Sequence, residues 1–175
     1  MEEKGTTGSL DFFESDLSEF AETHKYAFDV VLNLGVSVGY SSAKSENKKV
    51  LFHLGQLLKK NGFLVLQVLN RDLCVESFPT SFWRENSDYF ILDRRELQFQ
   101  NSVLKSTKVF IEKTNGQVRR YEDSVYLYSI EELISELEQI GLGYLKNFST
   151  LSYESPSQGS PSEKTFTPTL VFQKK

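Results

Sequence analysis

The sequence is poor in the residues from which metal and acid–base sites are built: it has one cysteine, Cys74, and two histidines, His24 and His53. A single thiol cannot close an intramolecular disulfide or supply a multi-cysteine zinc cluster, so a reducing, cytoplasmic setting is expected and a metal site is not. The two histidines and Cys74 are scattered rather than set at ligand spacing. His53 lies between the apolar helix positions Leu51 and Leu54, where a part-buried structural imidazole is expected. No G-x-x-x-x-G-K-[ST] run is present, so the loop that cradles a nucleotide triphosphate is lacking. No apolar run approaches the roughly 20 residues of a membrane span, and Met1–Ser9 is polar, without the apolar core of a secretory leader. Neither sign of charge dominates: 20 Lys plus Arg against 24 Asp plus Glu give a net −4. That balance creates no pull toward nucleic acid or an anionic membrane, and it leaves small neutral or mixed-charge molecules as partners.

What is present is enough for one folded unit, since 175 residues with 39% hydrophobic content can bury a real core. Residues 1–175 read as a single domain in three parts: an α/β core over 10–77, a β-rich insertion or cap over 78–128, and a final helix and strand pair over 129–175. The organising stretch is Phe28 to Tyr40 (FDVVLNLGVSVGY), a short β-branched apolar run that breaks into a small-residue loop. That pattern reads as a buried parallel strand over 28–34 with a ligand loop at its carboxyl end. Before it, residues 1–9 are expected to fray, and Leu10–Ser15 reads as a strand ending in Asp16, with a partly helical connection through Glu22. After the loop, Val50, Leu51, Leu54, Leu57 and Leu58 fall at helical spacing; Lys59 and Lys60 suit the last turn and Asn61-Gly62 the stop.

Phe63–Leu69 reads as a second buried strand, and Asn70-Arg71-Asp72 as the loop at its carboxyl end, on the same rim as Gly35–Tyr40. From Phe78 to Tyr128 apolar residues alternate with polar ones, and Thr114-Asn115-Gly116-Gln117 marks a hairpin, so an antiparallel insertion is expected. Ser129-Ile130-Glu131-Glu132 is a capping box, opening an amphipathic helix that Gly141 ends. Tyr144–Tyr153 and Thr167–Phe172 read as a closing strand pair, joined by the Ser/Pro-rich loop 154–164.

Gly35-Val36-Ser37-Val38-Gly39 matches the G-x-S-x-G of a hydrolase nucleophile elbow, in the required setting after a strand and before a helix. Such a triad runs Ser, acid, His, and no histidine follows residue 53. A serine hydrolase acting through Gly35, Ser37 and Gly39 therefore lacks its base.

The order LDFFESD, FDVVLNLGVSVGY, helix, LLKKNGFLVLQVLNRD, then a β-rich insertion, YSIEEL and IGL resembles the second half of a class I S-adenosylmethionine-dependent methyltransferase of the small-molecule, glycine-methyltransferase-like kind. The likeness runs over about residues 10–175. It implies an α/β, Rossmann-like sheet of order 3-2-1-4-5-7-6, here incomplete on its amino-terminal side, with an antiparallel β insertion and a carboxyl-terminal strand pair. It implies S-adenosylmethionine as cofactor, with Asp16 accepting from the adenine amino group, Leu17 beside it, and Asn33, Leu34 and Gly35 under the methionine and sulfonium. Tyr40, Asn70 and Arg71 on the rim, with Arg95 and Tyr128 in the insertion that covers it, are the candidate substrate contacts, and no catalytic residue is assigned. Methyl transfer from a sulfonium depends on in-line placement more than on an acid or base, so a site without a His-Asp or Cys-His pair is consistent with it.

The family's G-x-G cofactor loop and ribose-binding acid are not in this sequence; Gly141-Leu142-Gly143 follows a helix and reads as its stop. Without the intervening strands, Phe28–Leu34 becomes an edge. The expectation is a truncated or split enzyme that completes its sheet with a second chain or as a homo-oligomer, Met1 not marking the natural start. The competing expectation is a non-catalytic methyltransferase-like partner or binding subunit.

Overall fold

The computed structural model describes residues 8–77, 80–148 and 166–175. Its elements are α1 (Leu17–Thr23), β1 (Phe28–Asn33), α2 (Lys44–Leu57), β2 (Leu58–Gln67), α3 (Arg71–Ser77), β3 (Ser81–Glu85), β4 (Tyr89–Gln98), β5 (Val103–Glu112), β6 (Val118–Tyr126), α4 (Ile130–Gln139), β7 (Leu142–Phe148) and β8 (Thr169–Lys174). They form two four-stranded sheets, one of order β1-β2-β8-β7 and one of order β3-β4-β5-β6. The first sheet reproduces the 4-5-7-6 portion of the strand order implied by the sequence resemblance, and the second is the antiparallel insertion. No helix among the described residues is long and apolar enough to cross a membrane.

The first sheet is buried on one face only. β1 runs parallel to β2 with Val31 opposite Leu64 and Asn33 opposite Leu66. β8 continues antiparallel, with Leu64 opposite Phe172 and Leu66 opposite Leu170. These positions share one face by the period of two, and Val31, Leu64, Leu66, Leu170 and Phe172 form a single core with Leu51 and Leu54 of α2 and Leu133 and Leu137 of α4. Each fully buried leucine there contributes about 1.5–3 kcal/mol. The alternate positions are open: Val30 is 49%, Leu32 61% and Phe63 38% exposed. Among the described residues β1 pairs with β2 alone, so the run that reads locally as a central strand is an edge of this sheet.

Three local readings are corrected. Leu10–Ser15 forms no strand; it is exposed coil leading to the Asp16 cap of α1, because no neighbouring strand among the described residues offers it a ladder. The helix expected to run through Lys60 ends at Leu57, and β2 starts at Leu58, opposite Phe28. Asn61 does adopt the left-handed conformation, φ 64°, but it serves an irregularity in the β1–β2 register instead of a helix stop. Asn70–Asp72 is not a free loop: Asn70 bridges to Tyr128, and Arg71 and Asp72 begin α3.

Elsewhere short-range chemistry decides the outcome. Ser129 Oγ accepts from Glu132 N at 3.1 Å to cap α4, and Gly141, φ 84°, follows its end. Gly116, φ 72°, turns the β5–β6 hairpin, which closes with Ile111 opposite Val118. β7 and β8 pair antiparallel, over Leu142–Phe148 and Thr169–Lys174; the rest of the expected first strand, 149–153, and the loop 154–164 lie outside the described residues.

Candidate functional site

At the carboxyl end of β1 the chain makes a tight path. Gly35 (φ 80°), Val36 (φ 61°) and Gly39 (φ 106°) all have positive φ. For a β-branched residue such as Val36 that conformation is strained, and it persists because its neighbours are pinned. Gly35 N donates to Gln67 Oε1 at 3.0 Å, and Ser37 Oγ donates to Asn33 Oδ1 at 2.9 Å. Gly39 O accepts from Tyr126 N at 2.7 Å, joining the loop to the end of β6. Beyond it, Asn47 of α2 donates through Nδ2 to Ser41 O and Ala43 O, at 2.6 and 3.2 Å.

The second sheet lies across this rim. Its inner face and the loop enclose a cavity of about 340 Å3, with Val36, Tyr40 and Leu69 on one side and Arg95, Ser106 and Lys108 on the other. That volume is within the range of small-ligand pockets. The polar wall is internally neutralised. Asp93, buried on the inner face, accepts from Arg95 at 3.0 and 3.2 Å and from Ser106 Oγ at 2.8 Å, and Lys108 pairs with Asp123 at 2.5 Å. Such a wall suits a neutral or zwitterionic molecule that brings its own donors and acceptors. A larger concavity of about 920 Å3 follows the twist of the opposite face, past Trp83 and Arg94, away from the strand ends.

Beside the rim, a carboxylate gathers four elements. Glu132, in the first turn of α4, is paired with Lys44 at the start of α2 and accepts from Arg71 Nη1 of α3 at 3.1 Å and from Tyr126 OH of β6 at 2.9 Å. Burial pushes its carboxyl up, but hydrogen bonds from Lys44 and Tyr126 and the charges of Lys44 and Arg71 outweigh that and hold it below the usual range. Lys44 is correspondingly raised, chiefly by its hydrogen bond to Glu132. Burial, then the Glu132 hydrogen bond, raises Tyr126.

The sequence-predicted residues do not fall together in one place. Tyr40 and Arg95 line the same cavity from its two sides. Arg71 belongs to the Glu132 cluster, and Asn70 is a buried junction: it bridges to Tyr128 and its Oδ1 caps Asp72 N at 3.1 Å. Tyr128 is a core residue, edge-on to Tyr126 at 4.8 Å, with a buried hydroxyl that finds no partner among the described residues. Asn33, Leu34 and Gly35 stand together at the end of β1, and the place a Gly35 Cβ would take is open space. Asp16 is elsewhere: it caps α1 through Ser18 N at 2.7 Å, and the Ser18 hydrogen bonds lower its pKa. Leu17 begins that helix, whose Phe20 stacks on Phe28 at the opposite end of β1, 6.0 Å away.

Ser37 has neither histidine as a hydrogen-bond partner. His24 bonds Thr23 Oγ1 and Phe20 O, and His53 bonds Gln56 Oε1. No group of three metal-ligating side chains exists among the described residues. Sequence reasoning missed Glu132, Asp93 and Asn47. Glu132 was visible as the third position of a capping box, but its carboxylate reaches outward to Lys44, Arg71 and Tyr126 and does not close the box. Nothing local distinguished Asp93 or Asn47 from surface polar residues.

No protein-family model matches this chain, and no curated protein matches it in sequence. Solved structures do share its fold. An S-adenosylmethionine-dependent methyltransferase from Clostridium acetobutylicum superposes with a TM-score of 0.65 at 15% identity, over 83% of this chain and 58% of that one. DesVI from Streptomyces venezuelae gives 0.62 at 16% identity, over 93% and 64%. CalS10 from Micromonospora echinaspora, an amino pentose methyltransferase whose structure holds S-adenosylmethionine, gives 0.59 at 15% identity, over 85% and 58%. The chain thus spans roughly three fifths of the length of these structures, and its fold is the Rossmann-like one of class I methyltransferases.

Proposed function

We propose that this chain, which has the fold of class I S-adenosylmethionine-dependent methyltransferases, serves methyl transfer to a small molecule as part of an enzyme whose sheet is completed along β1 by further polypeptide. One observation carries the reading: the open end of β1, with Gly35 bare, lies beside a cavity roofed by the second sheet. The residues present fit one wall of a cofactor site. Asn33, Leu34 and Gly35 would lie under the methionine end of S-adenosylmethionine, and the open edge and face of β1, with Val30 and Leu32 exposed, would take the structure that forms the other wall. Asp16 and Leu17, at the far end of β1, would need to move to reach the same ligand. When bound, the cofactor supplies an electrophilic methyl group on a sulfonium. This chain's part is to hold the acceptor in line and exclude water, with Tyr40 and Arg95 at the cavity wall and the Glu132 cluster fixing the rim. The single buried Cys74, whose thiol burial pushes up to about 11, suits a cytoplasmic enzyme.

The second reading, a non-catalytic methyltransferase-like binding subunit, draws on one observation: among the described residues no strand ends in a Gly-rich loop of the G-x-G kind. Calorimetric titration of the 175-residue chain with S-adenosylmethionine separates the two. Saturable heat is expected, with a dissociation constant of roughly a millimolar because one wall alone is present, and lost in Gly35→Val. No heat from a sample that melts cooperatively would overturn cofactor binding by this chain and favour the subunit reading.

A further inference from the structure

The inner face of the second sheet is zoned. Its register places Leu97 opposite Leu104 and Leu104 opposite Val125, an apolar band beside the rim. Next come Arg95, Ser106 and Asp123, then Asp93 and Lys108. Farthest from the rim, Tyr89, Phe110 and Tyr121 line a recess of about 400 Å3 together with Arg119. The recess and the rim cavity share Lys108 and Asp123, so they are two lobes of one surface. From Val125 to Tyr121 the surface extends roughly 13 Å, at about 3.3 Å per strand residue.

The outer lobe has the chemistry of an aromatic clamp. Phe110 meets Tyr121 at 5.4 Å and 89°, and Tyr89 meets Phe110 at 6.1 Å and 85°. Rings packed edge to face leave a ring face bare for stacking, and Tyr121 is 53% exposed. Among the described residues Arg119 has no carboxylate partner: its Nη2 donates to Gln117 Oε1 at 3.2 Å. On the opposite face its sequence neighbour Arg120 is paired with Glu122 at 2.8 Å. An exposed cation without a counter-ion beside bare aromatic rings fits a ligand that is planar and anionic at once.

We infer that this recess is a second binding site, for a planar aromatic group bearing an anionic substituent, and that the acceptor of the proposed methyl transfer is elongated, with its distal end held here. The acceptor clause rests on the methyltransferase reading; the recess does not. Its test therefore uses neither cofactor nor turnover. Phenyl phosphate, phenol and inorganic phosphate are titrated separately into the full chain and followed by saturation-transfer NMR. Phenyl phosphate is expected to bind at least about tenfold more tightly than either half-probe. Tyr121→Ala and Arg119→Gln, both at exposed side chains, are each expected to weaken it about fivefold or more with melting unchanged, while Arg120→Gln leaves it as it was. Equal binding of phosphate and phenyl phosphate, indifference to both substitutions, or no saturable binding in the millimolar range each overturns the recess. Cofactor heat without recess binding sinks this inference alone; recess binding without cofactor heat overturns cofactor binding by this chain, favours the subunit reading and leaves a two-lobed binding surface.

Discussion

Glu132 is 19% exposed and holds Lys44, Arg71 and Tyr126 on one carboxylate; its removal takes the Tyr126 hydroxyl's acceptor and leaves Lys44 to Glu136 at 3.3 Å and Arg71 to Asp72 at 3.4 Å. Glu132→Gln is expected to destabilise the chain by about 1–3 kcal/mol at pH 7, read from urea unfolding. The pH dependence has a definite sign. A carboxyl whose folded pKa lies below its unfolded value, about 4.3, contributes stability that is complete above that value and is lost as pH falls through the folded one. The difference between wild type and Glu132→Gln should therefore shrink as pH drops below about 4. A gap that stays constant down to pH 3 would show that shape, not charge, is what Glu132 contributes. The lysine end of the cluster titrates upward, so its pairing persists through the alkaline range in which an ordinary lysine begins to lose its proton.

At the level of elements, β1 and β2 show how one sheet can be half core and half surface. Leu64 and Leu32 are both strand leucines, but Leu64 is fully buried and Leu32 is 61% exposed. Leu64→Ala is expected to cost about 2–5 kcal/mol, whereas Leu32→Thr stays within about 0.5 kcal/mol, both by urea unfolding of the same chain. A large loss from Leu32→Thr would mean that the open face is already covered in solution. The helix-to-strand junction follows the same logic. The apolar spacing of Val50 to Leu58 serves a helix, and Asn61-Gly62 suits its end; what shortens α2 is the ladder between Leu58 and Phe28. Backbone hydrogen bonds to a strand 30 residues earlier outweigh a local stop signal, and the left-handed Asn61 is kept for the irregular register.

For the molecule as a whole, the joint between the two sheets is narrow, and Gly39 is part of it. A Cβ there would stand 2.4 Å from Tyr126 O, at a φ of 106° that L residues rarely adopt. Gly39→Ala is expected to cost about 2–5 kcal/mol, strain plus overpacking, by urea unfolding. Gly35→Ala, at φ 80° but with nothing within 4 Å of the added carbon, should cost only the strain, about 1–2 kcal/mol. Equal costs at the two positions would deny that the loop is wedged against the second sheet.

The sequence by itself determined the α/β class, the β1–α2–β2 unit, the antiparallel insertion, the α4 cap and the Asn115-Gly116 hairpin, because each rests on a period or on an interaction within a few residues. It put Tyr40 on the rim and Arg95 in the insertion over it, and both line the cavity between the two. Tertiary structure alone decided that Arg95 and Asp123 face inward while Arg94 and Glu122 face out, since alternation says that a strand has two faces and not which one meets the core. It alone brought Glu132 to Lys44 and Arg71, 88 and 61 residues away in sequence. No local pattern encodes such a meeting, which exists only once the sheet has set the helices side by side.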